Sequence, residues 1–220
     1  MNRIVIYHGS DHIIEKPLFG YGEAHNDYGL GFYCTLDLEL AKEWANRSTT
    51  NGFANKYLFD ARTLKVLDLT KEEYSVLNWI AILLHHRHLS LADQALYKRR
   101  LDFLDKYFYI DVSQYDVVVG YRADDTYFKF PMFFLRNEFS VNRLEEIYKL
   151  GNLGKQIVLI SEKAFSHLEY IGFVESEPIY KEKYHTRKNQ ADVRFEEMLI
   201  EDITTSSVKI EDLMKQYDYR

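Results

Sequence analysis

The chain predicts an α+β fold, because β-branched and aromatic strand runs lie near both ends, a helical stretch fills the middle, and the close is polar and helical. Residues 3–8 and 31–35 read as the first two strands, joined by a long polar connection that holds Gly20, Gly22, Asn26 and Asp27. Helical spacing follows over 38–47, from Leu38, Ala41, Trp44 and Ala45, with Thr35 or Asp37 as N-cap. Residues 56–59 and 65–69 are short strands on either side of Asp60-Ala61-Arg62-Thr63.

Thr70-Lys71-Glu72-Glu73 has the form of a capping box, and it opens an amphipathic helix through Trp79 and Leu83 that ends in His85-His86-Arg87-His88. A weaker box, Ser90-Leu91-Ala92-Asp93, starts a second helix whose apolar face is Leu91, Ala95, Leu101, Leu104 and Phe108. Residues 115–121 are the strongest strand; they run into the turn Arg122-Ala123-Asp124-Asp125-Thr126 and an aromatic run over 127–135. A helix follows over 140–150, from Ser140 to a stop at Gly151, then a strand over 156–160 and a helix over 162–170 capped by Ser161. The organisation expected is one domain over 1–175, with a helical insertion at 70–110, and a polar, helical extension over 176–220.

The bulk numbers narrow the function classes. A net charge of −6 speaks against general binding to a phosphate backbone. Cys34 is the single cysteine, which excludes an internal disulfide or a Cys-based zinc cage. No apolar run suits a signal peptide or a membrane span, so a cytoplasmic location is expected. His85, His86 and His88 invite a metal reading, but a helix C-terminus attracts His and Arg electrostatically, and no metal is expected.

Chemistry gathers where strands give way to loops. His8-Gly9-Ser10 closes the first strand, and Asp27-Tyr28-Gly29-Leu30-Gly31-Phe32-Tyr33-Cys34-Thr35 forms a Gly-rich turn leading into the second. With Tyr115-Asp116-Val117-Val118-Val119-Gly120, Ala123-Asp124-Asp125, and Lys155-Gln156-Ile157-Val158 followed by Ser161-Glu162-Lys163-Ala164, they occur in one order. That order resembles an uncharacterised bacterial family within the ADP-ribosyltransferase-like superfamily, in its histidine–tyrosine class, the class of poly-ADP-ribose polymerases and diphtheria toxin. The resemblance covers residues 3–175, with the middle helices a looser match.

The resemblance implies a split β-sheet core and transfer of ADP-ribose from NAD as substrate. It implies His8, Tyr33 and Gln156 as the catalytic set, Gln156 standing where the polymerases carry Glu. A Gln can hydrogen-bond the ribose 2′-hydroxyl but cannot act as a base or supply charge. Asp124 or Asp125 is then the substitute carboxylate, although Asp is also a common turn former. His8, Gly9, Ser10, Asp27, Gly31, Tyr33 and Thr35 are the expected NAD contacts. Nicotinamide leaves through an oxocarbenium-like state, so the site must grip the amide and ribose hydroxyls and cover the ring with an aromatic. The expectation is a mono-ADP-ribosyltransferase, in the setting of a toxin of a toxin–antitoxin or phage-defence system. It would act on a macromolecular acceptor, protein or nucleic acid, with an antitoxin protein as a further partner and no membrane involved. A catalytically weak NAD- or nucleotide-binding module of the same fold is the alternative. A third reading, phosphotransfer on RNA, needs clustered basic side chains, whereas Arg122, Lys155 and Arg187 are scattered in sequence.

Overall fold

The computed structural model describes residues 3–46, 51–123, 128–150, 154–204 and 207–219. It is an α+β structure of two sheets and eight helices among these residues. The first sheet has the order β1-β3-β7, from β1 (Ile4–Ser10), β3 (Gly52–Phe59) and β7 (Leu168–Ser176), all antiparallel. The second has the order β2-β6-β5-β4, from β2 (Phe32–Cys34), β6 (Lys155–Leu159), β5 (Val117–Tyr121) and β4 (Val66–Asp68). Within it β4 and β5 run parallel, and the other pairs are antiparallel.

Strand alternation sorts the apolar side chains into two cores. Ile6, Tyr57 and Phe59 of the first sheet meet Phe32, Cys34, Val117, Val119, Ile157 and Leu159 of the second. The alternate residues Leu67, Val118 and Val158 face the helices, where Trp79, Ile80, Leu83, Phe103 and Phe134 are all buried. Those helices are α2 (Val76–His86), α3 (Leu91–Tyr107), α4 (Lys129–Leu135) and α5 (Val141–Leu150).

Helix α1 (Leu38–Ala45) lies against β1. Asp37 caps it, accepting from Glu39 N at 2.9 Å and Leu40 N at 3.3 Å. The extension over 176–220 docks on the body. Helix α7 (Ile179–Thr204) is tied to α1 by Arg187, whose Nε and Nη2 both donate to Glu43 Oε2, at 2.9 and 2.6 Å, in a half-buried setting. Tyr180 Oη donates to Glu39 Oε2 at 2.7 Å. Farther along, Phe195 packs on Phe130 and Phe139, and Ile210, Leu213 and Met214 of α8 (Ile210–Gln216) are buried. The extension therefore braces α1.

Three expectations are corrected. The helix expected over 162–170 is only α6 (Glu162–Phe165); residues from Leu168 form β7 instead. Its residues alternate between inward and exposed positions, the period of a strand, and they find the open edge of β3. The box at Thr70 does not start α2. Thr70 folds back on Asp68, donating to Oδ1 from N at 3.1 Å and from Oγ1 at 2.7 Å, and the helix begins after Ser75 with Asn78 as its partner. On α3, Leu91 and Ala95 point outward while Tyr97, Phe103 and Leu104 are buried, so the expected face holds only over the second half.

Candidate functional site

A cleft of about 920 Å³ opens where β1 and β2 part. Its walls are the ends of β1 and β2, the loop over residues 11–31, Trp44 of α1, Arg87 after α2, and Arg122, Ala123 and Gln156. The parting has an identifiable cause. Tyr7 and Thr35 exchange both backbone bonds, Tyr7 N to Thr35 O at 2.8 Å and Thr35 N to Tyr7 O at 2.9 Å. Two residues on, Gly9 would pair with Tyr33 in the same way. The His8 ring intervenes: Nδ1 lies 2.7 Å from Tyr33 O. Backbone groups alternate in direction along a strand, so the N–H and C=O of Gly9 point toward the cleft rather than toward β3.

His8 is held by stacking on Phe32, with ring centroids 4.3 Å apart. Burial lowers its pKa to about 4, which keeps the ring neutral near pH 7. Nδ1 donates to the carbonyl, so Nε2 is the acceptor. Gly9 is required by space: a Cβ there would come 2.1 Å from Ala41 O and 2.8 Å from Ala45 N.

The Tyr33 hydroxyl donates to Gly29 O at 2.6 Å and accepts from Tyr28 N at 3.0 Å. Burial raises its pKa above the usual tyrosine value. The ring thus stands as a fixed platform whose hydroxyl is spent on its own turn. Gly29 makes that turn at φ +78°, with His86 packed against it.

Asp27 and Gln156 sit on the cleft floor, each only 4% exposed. Asp27 Oδ1 accepts from Arg87 Nε at 3.0 Å, and Oδ2 accepts from Ala123 N at 2.8 Å and Gln156 Nε2 at 3.2 Å. Burial raises its pKa from the ordinary carboxylate value, and the Arg87 guanidinium opposes that rise. Gln156 Oε1 is buried and accepts no hydrogen bond among the described residues. Nearby, the Arg122 guanidinium lies over the Trp44 ring, 4.7 Å from its centroid.

His8, Gly9, Asp27, Gly31, Tyr33 and Gln156 therefore share one cleft. Ser10 and Thr35 are not among its lining residues: Ser10 Oγ turns to Asp11 and His12, and the buried Thr35 hydroxyl accepts from Asp37 N at 3.1 Å at the foot of α1. Asp124 and Asp125 lie outside the described residues. Of the three basic residues weighed for phosphotransfer only Arg122 is in the cleft, since Lys155 bonds Thr70 and Arg187 bonds Glu43. Nothing in the local sequence signals that Trp44 and Arg87 belong to the cleft, because each reaches it across a contact between distant elements. Among the described residues no helix is long and apolar enough to cross a membrane.

Two half-buried histidines set a pH dependence. The His86 pKa is lowered to about 4, by burial first and by neighbouring His85 second, as that of His8 is by burial. The unfolded chain binds their protons near the ordinary histidine value of 6.5, so between about 4 and 6.5 it carries more protons than the native one. Stability then rises with pH through that window and levels above it. Melting temperatures measured from pH 4.5 to 7.5 should climb less steeply in His8→Gln than in the parent; equal slopes would mean that the His8 ring is not neutral.

Comparison with curated proteins and comparison with solved structures each return no match. A family described as a protein of unknown function, DUF3990, matches residues 4–170, from the first residue of β1 into β7. That span carries every cleft residue named above and stops short of the bracing extension, and over it this chain belongs to the DUF3990 family.

Proposed function

We propose that the cleft binds NAD and catalyses transfer of its ADP-ribose to a macromolecular acceptor. The observation that carries this reading is the open Gly9–Tyr33 pair, which offers a backbone donor and acceptor beside a neutral His8 and a fixed Tyr33 ring. A carboxamide needs that donor and acceptor together, and an aromatic ring covers a pyridinium well. The cleft volume of about 920 Å³ sits near the top of the range for cofactor pockets, roughly 300–1,000 Å³.

In this reading Gly9 grips the nicotinamide amide, Tyr33 stacks on the ring, and His8 Nε2 and Gln156 Oε1 accept from ribose hydroxyls. The bond from the ribose anomeric carbon to the nicotinamide nitrogen breaks, and nicotinamide leaves with the electron pair. Positive charge develops on the sugar above the Asp27 side of the floor. The acceptor nucleophile then bonds to that carbon and gives up its proton to solvent. Exposed Leu18, Phe19 and Tyr21, on the loop that walls the cleft, suit an acceptor that is itself large and partly apolar. A toxin of a toxin–antitoxin or phage-defence locus is the setting that the family resemblance suggests.

Tyr33→Ala is expected to lower nicotinamide release by two orders of magnitude or more, while Tyr33→Phe, which keeps the ring, stays within about tenfold of the parent. Far-ultraviolet circular dichroism checks the fold of both. Equal loss in the two variants would make the hydroxyl, not the ring, the functional part. A second reading, NAD binding without turnover, is favoured by one feature: Gln156 is neutral where a carboxylate would act. Calorimetric NAD binding with no nicotinamide released would select it.

A further inference from the structure

We propose that Asp27 is a positioning residue that fixes the Gln156 amide with its oxygen toward the ligand, so that the cleft selects a sugar bearing a hydroxyl donor at that point. The proposal rests on the NAD reading and adds to it the polarity of the recognition. Among the described residues, the groups that hydrogen-bond the Asp27 carboxylate are all donors: Arg87 Nε, Ala123 N and Gln156 Nε2. An ionised carboxylate accepts and cannot donate, so only the nitrogen of the Gln156 amide can face it. The oxygen is thereby forced to the other side, where it is buried and accepts nothing among the described residues.

A buried acceptor without a donor is costly, and the cost is removed when a ligand hydroxyl arrives. Asp27 itself is not free to turn. Arg87, at the end of α2, holds one oxygen, and the backbone after β5 holds the other. The loop, α2, β5 and β6 thus converge on one carboxylate, and that convergence makes a neutral amide directional. The selectivity of the cleft resides in a residue behind the one that touches the ligand.

The test uses the full chain and two probes that resist turnover. One is the NAD analogue with carbon in place of the nicotinamide-ribose ring oxygen, and the other is its counterpart lacking the 2′-hydroxyl on that ring. Calorimetry on the parent protein should show the second probe bound about ten- to hundredfold more weakly. In Asp27→Asn either atom of the new amide can face Gln156, whose own amide then turns freely; the ratio should fall to within about threefold, more than any uniform loss of affinity would produce. Gln156→Leu should abolish the ratio outright.

A ratio preserved in Asp27→Asn overturns the positioning role while leaving NAD binding intact. Equal binding of the two probes by the parent protein overturns the acceptor role of Gln156 and again spares NAD binding. Failure to bind either probe overturns the NAD reading and this inference together. Should Asp27→Asn fail to fold, side-chain amide exchange in the parent decides. The Gln156 Nε2 protons should exchange slowly, and exchange at the rate of a free amide would overturn the proposal.

Discussion

Gly9→Ala is expected to cost about 1–3 kcal/mol of stability, the range for forcing an extra methyl into a packed site. The new Cβ would meet Ala41 O at 2.1 Å, Ala45 N at 2.8 Å and the Trp44 Cβ at 2.8 Å. Two of those atoms are backbone, so neither a rotamer change nor a small breathing motion relieves the contact. Either β1 or α1 must move. A shift of α1 carries Trp44 out of the cleft wall and strains the Arg187–Glu43 tie to the extension. A melting-temperature drop of about 3–10 °C is the expected reading for a chain of this size, together with loss of NAD binding. Unchanged melting would show that β1 and α1 do not approach so closely.

His8→Ala is expected to lower nicotinamide release by about a hundred- to a thousandfold with a smaller effect on melting. The substitution removes Nε2, the acceptor proposed for a ribose hydroxyl, and also the Nδ1 bond to Tyr33 O that stands where Gly9 would pair. With the ring gone, Gly9 and Tyr33 can complete their ladder and close the edge that would hold the nicotinamide amide. His8→Gln keeps a donor in reach of Tyr33 O, and it should recover part of the loss. Activity of His8→Ala within threefold of the parent would remove His8 from the site.

The ends of β1 and β2 that meet at the cleft were legible because β1 stops at His8-Gly9-Ser10 and β2 is entered from the Gly-rich turn before Tyr33, each with its own local chemistry. Gln156 stands just ahead of the apolar run Ile157-Val158-Leu159-Ile160, and only the family resemblance singles it out. What the sequence hid was contact at a distance. Arg87 read as a charge at a helix end, and nothing near it in the chain points to Asp27, sixty positions away. β7 was hidden for a different reason: Ser161 does cap a helix, but the helix lasts one turn, and the alternation that begins at Leu168 was read as its continuation. The Thr70 box failed because its hydroxyl found a closer acceptor in Asp68. Asp27, expected among the ligand contacts, lines the cleft, and among the described residues its carboxylate accepts from Arg87, Ala123 and Gln156, a network with no sign in the local sequence.

The most direct test is NAD turnover by the purified protein, measured as nicotinamide release together with transfer of labelled ADP-ribose into a cell lysate, with His8→Ala alongside. Nicotinamide release and label entering one class of macromolecule are expected, both lost in His8→Ala. A parent protein with neither release nor NAD binding would contradict the NAD reading.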